Sequence, residues 1–189
     1  MSDVAGYLSP AGVDPIDDAE LDDFLGDVIA AITGLDRNEL VRPRWQEDPP
    51  ALPSRAVTWC GVGVMSSRSD VNAYTETAQD GLTTEFTRHA SLTILASFYG
   101  PQAGRMAGLL QDGLQVDQNQ AALLGAGFAS IETIGPVNTS ELIKEKWLPR
   151  EDVTWIVRRE IRRTYPVLSL LSANGELVTT LGTVAFGTS

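Results

Sequence analysis

Apolar residues recur at Leu21, Phe24, Leu25, Val28, Ile29, Ile32 and Leu35, the i, i+3, i+4, i+7 spacing that gives a helix one buried stripe. The spacing predicts a helix over about 16–35, capped by Asp14 or Asp17, with Pro15 near its first turn and acidic residues crowding its start. Negative charge belongs there because it meets the positive end of the helix dipole. A different period governs residues 84–98. Phe86, Ala90, Leu92, Ile94, Ala96 and Phe98 alternate with Glu85, Thr87, His89, Ser91, Thr93 and Ser97, which predicts a strand with one wet face and hence antiparallel pairing. Helical spacing returns after Gly100-Pro101, at Ala103, Met106, Ala107, Leu110 and Leu114. A shorter helix is expected over 116–127, with Asp117 as cap and Leu123 and Leu124 inward. The stretch FASIETIGPV then predicts another strand.

From 153 to 165 the odd positions are Val153, Trp155, Val157, Arg159, Ile161, Arg163 and Tyr165, and the even ones Thr154, Ile156, Arg158, Glu160, Arg162 and Thr164. The β-branched and aromatic content predicts a long strand over 155–167, although Val157, Ile161 and Tyr165 also fit one helical stripe. Asn174-Gly175 is a two-residue hairpin signal. Between these elements lie three long connections. Residues 42–55 hold four prolines and no periodicity. Residues 66–83 are polar with a turn signal at Asp80-Gly81, and residues 135–150 carry Trp147, expected to anchor them by packing. A strand is expected from Val57 to about Met65; its Gly61 and Gly63 resemble the start of a dinucleotide fingerprint, but Ser-rich sequence follows where the helix should begin. The order of elements predicts an α+β domain, a mainly antiparallel sheet with helices packed on a face, spanning 1–189 as one domain.

Charge changes the picture. The chain carries 14 basic and 25 acidic residues, a net of -11, which argues against a protein whose main work is gripping phosphate backbones. Ten of the acids lie between Met1 and Leu40 with only Arg37 beside them, and the helix dipole accounts for much of that. A calcium loop is excluded because the Asp-x-Asp-x-Asp-Gly core is missing. Cys60 is the single cysteine and His89 the single histidine, so neither a disulfide, a zinc site nor a Cys/His pair is indicated. No nucleophile elbow, zincin or phosphate-loop motif occurs, and the expectation is a non-enzyme without cofactor or metal. The N-terminus lacks the pattern of a signal peptide, and no apolar run reaches the length of a membrane span; the Asn138-Thr139-Ser140 sequon therefore carries no weight.

The arginines of WIVRREIRRTYPV are the remaining candidates. Arg158 and Arg162 share the face of Glu160, so an internal ladder of charge pairs is one reading. Arg159 and Arg163 fall on the more apolar face, where their stems can cover hydrophobic surface. A nucleic-acid-binding module built on strand 155–167 with Trp155 and Tyr165 is the alternative. Guanidinium also suits bidentate pairing with carboxylates of another copy, and an acidic helix with an arginine strand forms the two halves of a head-to-tail contact.

Three stretches, RPRWQEDPPALP with WCGVGV, then RHASLTILASFYGPQAGRMAGLLQDGLQVDQNQAAL, then KEKWLPREDVTW running into RREIRRTYPVLSLLSANG, together resemble the neck terminator, or tail terminator, proteins of tailed bacteriophages, over roughly residues 40–175. The resemblance implies a tail-terminator-like subunit in a ring, typically a hexamer, at the head–tail junction of the virion. Such a ring caps the tail tube, docks to the connector or adaptor, and lets DNA pass only as cargo; the chain is made in the host cytoplasm and involves no membrane. Within that picture Arg158, Arg159, Arg162 and Arg163 are expected at subunit or partner contacts. Arg42, Arg44 and Trp45 belong to a loop packed on a neighbour, and Arg68, Asp70, Tyr74, Glu76 and Asp80 to a loop facing the channel or the next ring.

Overall fold

The computed structural model describes residues 6–12, 15–79, 81–143 and 145–167, and the backbone of 173–179 and 182–188. Among the described residues there are three helices, α1 (Asp18–Thr33), α2 (Ala103–Gly113) and α3 (Asp117–Gly125). The strands are β1 (Val41–Pro43), β2 (Trp59–Ser69), β3 (Tyr74–Thr77), β4 (Thr83–Tyr99), β5 (Phe128–Asn138), β6 (Glu141–Ile143), β7 (Lys146–Leu148), β8 (Arg150–Pro166), β9 (Ala173–Thr179) and β10 (Gly182–Thr188). A six-stranded sheet runs β1-β2-β4-β8-β5, with β3 on β4; β6–β7 and β9–β10 form separate two-stranded ribbons. β1 lies parallel to β2, whereas β2–β4, β3–β4 and β5–β8 are antiparallel. The expected α+β class, a mostly antiparallel sheet with helices packed against it, is the observed one.

Contacts divide the chain into a larger unit, 14–73 with 88–161, and a smaller one, 1–13 with 74–87 and 162–189; β4 and β8 contribute to both. The core belongs to the larger unit. Leu21, Leu25 and Ile29 of α1, Met106, Ala107 and Leu110 of α2, and Leu123 of α3 pack with Cys60 and Val62 of β2, Leu92 to Phe98 at alternate positions of β4, and Val153, Trp155 and Val157 of β8. The period-2 and period-3.6 apolar patterns therefore meet in one layer, and each fully buried large side chain contributes about 1.5–3 kcal/mol. Phe24 of α1 stacks on Phe128 of β5, with ring centroids 4.7 Å apart. Gly34 ends α1 in the left-handed conformation, its N–H donating to the Ala30 carbonyl at 2.8 Å. Gly100, φ 100°, ends β4 where an added Cβ would stand 2.5 Å from the Val57 carbonyl oxygen.

In the smaller unit β3 pairs with β4 from Tyr74↔Thr87 to Thr77↔Thr84, and Phe86 meets Tyr165 edge to face at 6.2 Å. The Ala11 N–H donates to the Thr164 carbonyl at 2.7 Å.

Several expectations are corrected. About half of residues 66–83 is strand: β2 continues past a bulge at Val64/Ser66 to Ser69, and β3 occupies 74–77. Their side chains look like loop because they are polar and exposed, while the backbone is held by β4. Likewise β5 reaches Asn138, and β6 (141–143) pairs with β7 (146–148), so much of 135–150 is strand rather than loop. Trp147 does not anchor that segment, being 69% exposed. Leu124 faces outward; only Leu123 of α3 is buried. Asn174-Gly175 lies inside β9, opposite Gly187 and Phe186 of β10, in an antiparallel ribbon whose pairs run from Ala173↔Thr188 to Thr179↔Gly182. Local turn chemistry lost there to the pairing register of the whole ribbon.

Candidate functional site

β8 is a strand in which consecutive side chains point to opposite faces, so Arg158 and Arg159 look in different directions. Arg159 joins the buried row Val153, Trp155, Val157, and its side chain is only 9% exposed. Its Nη1 donates to the Ile16 carbonyl at 2.6 Å and its Nη2 to Asp17 Oδ1 at 2.6 Å. Asp17 stands at the cap position of α1 but makes no side-chain capping bond; its carboxylate receives Arg159 instead. Arg158 donates to the Asp70 carboxylate just beyond the end of β2, so two residues predicted for different roles form one ion pair. In the smaller unit, Arg162 Nη1 lies 3.9 Å from Glu85 Oε1, and Arg163 is half-buried. Trp155 is buried and donates its indole N–H to Ser130 Oγ at 3.1 Å, which removes it as a stacking platform for bases. Arg68 is exposed near the end of β2, Tyr74 and Glu76 are exposed on β3, and Asp80 lies outside the described residues.

Arg42, Arg44 and Trp45 gather at the β1 edge. Arg42 donates from Nε to the Glu39 carbonyl at 3.1 Å and from Nη1 to the Ala51 carbonyl at 2.9 Å, and its guanidinium carbon stands 5.9 Å from the Trp59 ring centroid. Arg44 donates to Ser97 Oγ, and its Nε is buried without an acceptor. Trp45 lies over Gly63, where an added Cβ would stand 2.8 Å from the indole; the glycine of the strand is there for close approach. Trp59 of β2 and Tyr99 of β4 are register partners and stack with centroids 4.4 Å apart and planes 12° apart. Together with Gln46, Leu52 and the loop prolines, Arg42, Arg44, Trp59 and Tyr99 line a cavity of about 160 Å³.

One charged cluster escaped sequence reasoning. Arg150 donates from Nε and Nη2 to the two oxygens of Asp152, at 2.9 and 3.0 Å, and from Nη1 to Glu141. Its guanidinium stands 5.3 Å from the Tyr99 ring centroid. Burial works against the charge of Arg150, yet the hydrogen bonds to Asp152 and Glu141 outweigh it and raise its pKa above the ordinary value. The Arg-x-Asp spacing on a strand, which puts both side chains on one face, was the available signal.

Chemistry of the bond-making kind finds little to work with. Burial pushes the Cys60 thiol up, away from the reactive thiolate. Among the described residues, no three His, Cys, Asp or Glu side chains gather as a metal site, and no helix is long and apolar enough to cross a membrane.

The family model for the phage neck terminator protein matches residues 19–180. The chain belongs to the phage neck terminator protein family. No curated protein matches it. The family is structural and non-enzymatic, and membership implies a tail-terminator role at the head–tail junction, with contacts to tail and neck proteins.

Proposed function

We propose that the chain forms a ring, a hexamer, that closes the end of the tail tube and joins it to the capsid connector or adaptor, leaving a channel through which DNA passes. The observation that supports this most directly is the exposed β5 edge and neighbouring hairpin. Ile131, Ile134 and Val137 of β5 and Leu142 and Trp147 of β6–β7 are all about half exposed or more, and among the described residues β5 pairs with β8 alone. An open apolar edge is an aggregation hazard that assembly turns into an interface. Partners are other copies of the chain, connector or adaptor proteins, and tail tube protein, with localisation in the virion.

Arg158 and Arg162, with side chains 40% and 62% exposed, keep surface for a neighbour to reach; Arg159 ties α1 down from within. Residues 66–83, including Arg68, Tyr74 and Glu76, face the channel or the next ring in this proposal. Net charge of -11 per copy multiplies around a ring, and a wall poor in cations lets phosphates slide.

The test is a virion assembled without the chain. Filled heads and unjoined tails, with normal joining restored by added protein of ring mass, are expected. Joined particles formed in its absence, or a particle whose neck density holds single copies off the axis, overturn the proposal.

A further inference from the structure

The path β1-β2-β4-β8-β5 ends at β1 and β5, neither of which pairs with a further strand among the described residues, and the two ends carry opposite charge. At the β1 edge, Arg42 meets two backbone carbonyls and Arg44 a hydroxyl. Among the described residues no carboxylate pairs with either, whereas Arg37, Arg150, Arg158 and Arg159 each have one. Glu47 and Asp48 are exposed on the same loop but do not line the cavity. Dipoles of carbonyls and hydroxyls do not cancel two full charges, and a half-enclosed arginine pair in a chain this acidic draws a carboxylate. Beside the pair lie Leu52 and Trp45, 75% and 59% exposed. At the opposite edge, Glu132 of β5 is exposed and among the described residues has no ion pair, between the exposed Ile131 and Ile134.

We infer that the β5 edge of one copy seats on the β1 edge of the next: Glu132 enters the cavity of Arg42 and Arg44, while Ile131, Ile134 and Val137 cover Leu52 and Trp45. The contact joins two different patches of one chain, so it is heterologous and propagates from copy to copy until the rotation closes. It rests on the ring proposed above and gives that ring a surface. The apolar residues supply the burial, and the carboxylate sets the register, since Glu132 is the single acidic residue of β5.

The test uses full-length Arg42→Glu and Glu132→Arg chains, alone and mixed in equal amounts, with mass read by native mass spectrometry and sedimentation, with and without tail tube protein. Each variant alone sets like charges at positions 132 and 42 of every contact, and its association weakens about tenfold or more. In the mixture each contact again sets an acid against an arginine at positions 132 and 42, so assembly returns, in rings that alternate the two chains. Singles that assemble as the wild type does, or a mixture no better than its components, overturn the contact while wild-type rings keep the ring itself. Wild-type chains that stay single under every condition overturn both. Should Arg42→Glu unfold through its lost carbonyl bonds, Glu132→Arg and Ile134→Asp, both on the exposed edge, carry the test: undiminished rings from both refute it.

Discussion

Removing the Arg159 guanidinium by Arg159→Met keeps the stem that packs beside Val157 and Ile161 but cuts both of its hydrogen bonds, to the Ile16 carbonyl and Asp17 Oδ1. The arginine is 9% exposed and the aspartate 41%, so the two sides of the pair respond differently. Asp17 returns to water once its partner is gone and costs little. Bonds to a charged group contribute about 1.5–3 kcal/mol each when buried, and screening on the Asp17 side lowers the sum, which places Arg159→Met at about 2 kcal/mol of lost stability. Asp17→Asn leaves a nearly buried cation with only neutral acceptors and costs about 1–2 kcal/mol. Because both variants cut the same bond, the double variant falls short of the sum by about 1 kcal/mol. Urea unfolding followed by the four tryptophans reads these values as shifts of midpoint at constant slope. Arg159→Lys loses part of the same stability, since an ammonium lacks the planar fork that reaches both acceptors. An Arg159→Met chain within about 0.5 kcal/mol of wild type refutes the claim that this arginine holds the start of α1 to the sheet.

Cys60 is fully buried, and burial pushes its thiol up, so the folded chain resists disulfide-exchange reagents at mildly alkaline pH and reacts only on unfolding in urea; rapid labelling of the native chain contradicts this. Gly100→Ala forces a Cβ to within 2.5 Å of the Val57 carbonyl oxygen at a positive φ, and thermal unfolding should show a loss of about 1–3 kcal/mol; an unchanged midpoint refutes the steric account. Burial first, then the neighbouring Asp23 and Asp18, raise the pKa of Asp22. A raised carboxyl binds its proton more readily folded than unfolded, so wild-type stability falls as pH rises through that raised pKa. Asp22→Asn should therefore gain a few tenths of a kcal/mol at neutral pH, about the size of one i, i+4 like-charge pair, and the gain should vanish below the ordinary carboxylate pKa. A gain that persists at low pH points to another cause.

Elements with a clean period were legible. The stripe from Leu21 to Ile32 and the alternation from Ala90 to Phe98 each describe a single face against one core, and α1 and β4 follow them. Residues 66–77 were not legible, because β2 beyond Val64 and the whole of β3 turn polar side chains outward on both faces, and a strand without a buried face has no period to read. Asn174-Gly175 failed for a related reason: a turn signal is local, while the register of β9 on β10 is shared by seven residue pairs. The arginine strand was visible as a strand and as charge. Its partners were not, since Asp70 and Asp17 stand 88 and 142 residues away in sequence from the arginines they meet.

That separation decides how charge should be counted in such a chain. A run of four arginines looks like the richest source of intermolecular contacts, yet sequence density says nothing about whether each cation has already found an acid. Folding brings carboxylates from distant segments to Arg158 and Arg159, and a cation so matched offers a neighbour only what is left after screening. Arg42 of β1 and Arg44 just after it stand in a proline-rich stretch with no such density, but among the described residues folding gives them backbone carbonyls, a hydroxyl and an aromatic wall in place of a carboxylate. Attraction toward another molecule follows the charge that remains uncompensated, so in the proposed contact the arginines of the β1 edge carry more of the attraction than the matched Arg158 and Arg159 of β8.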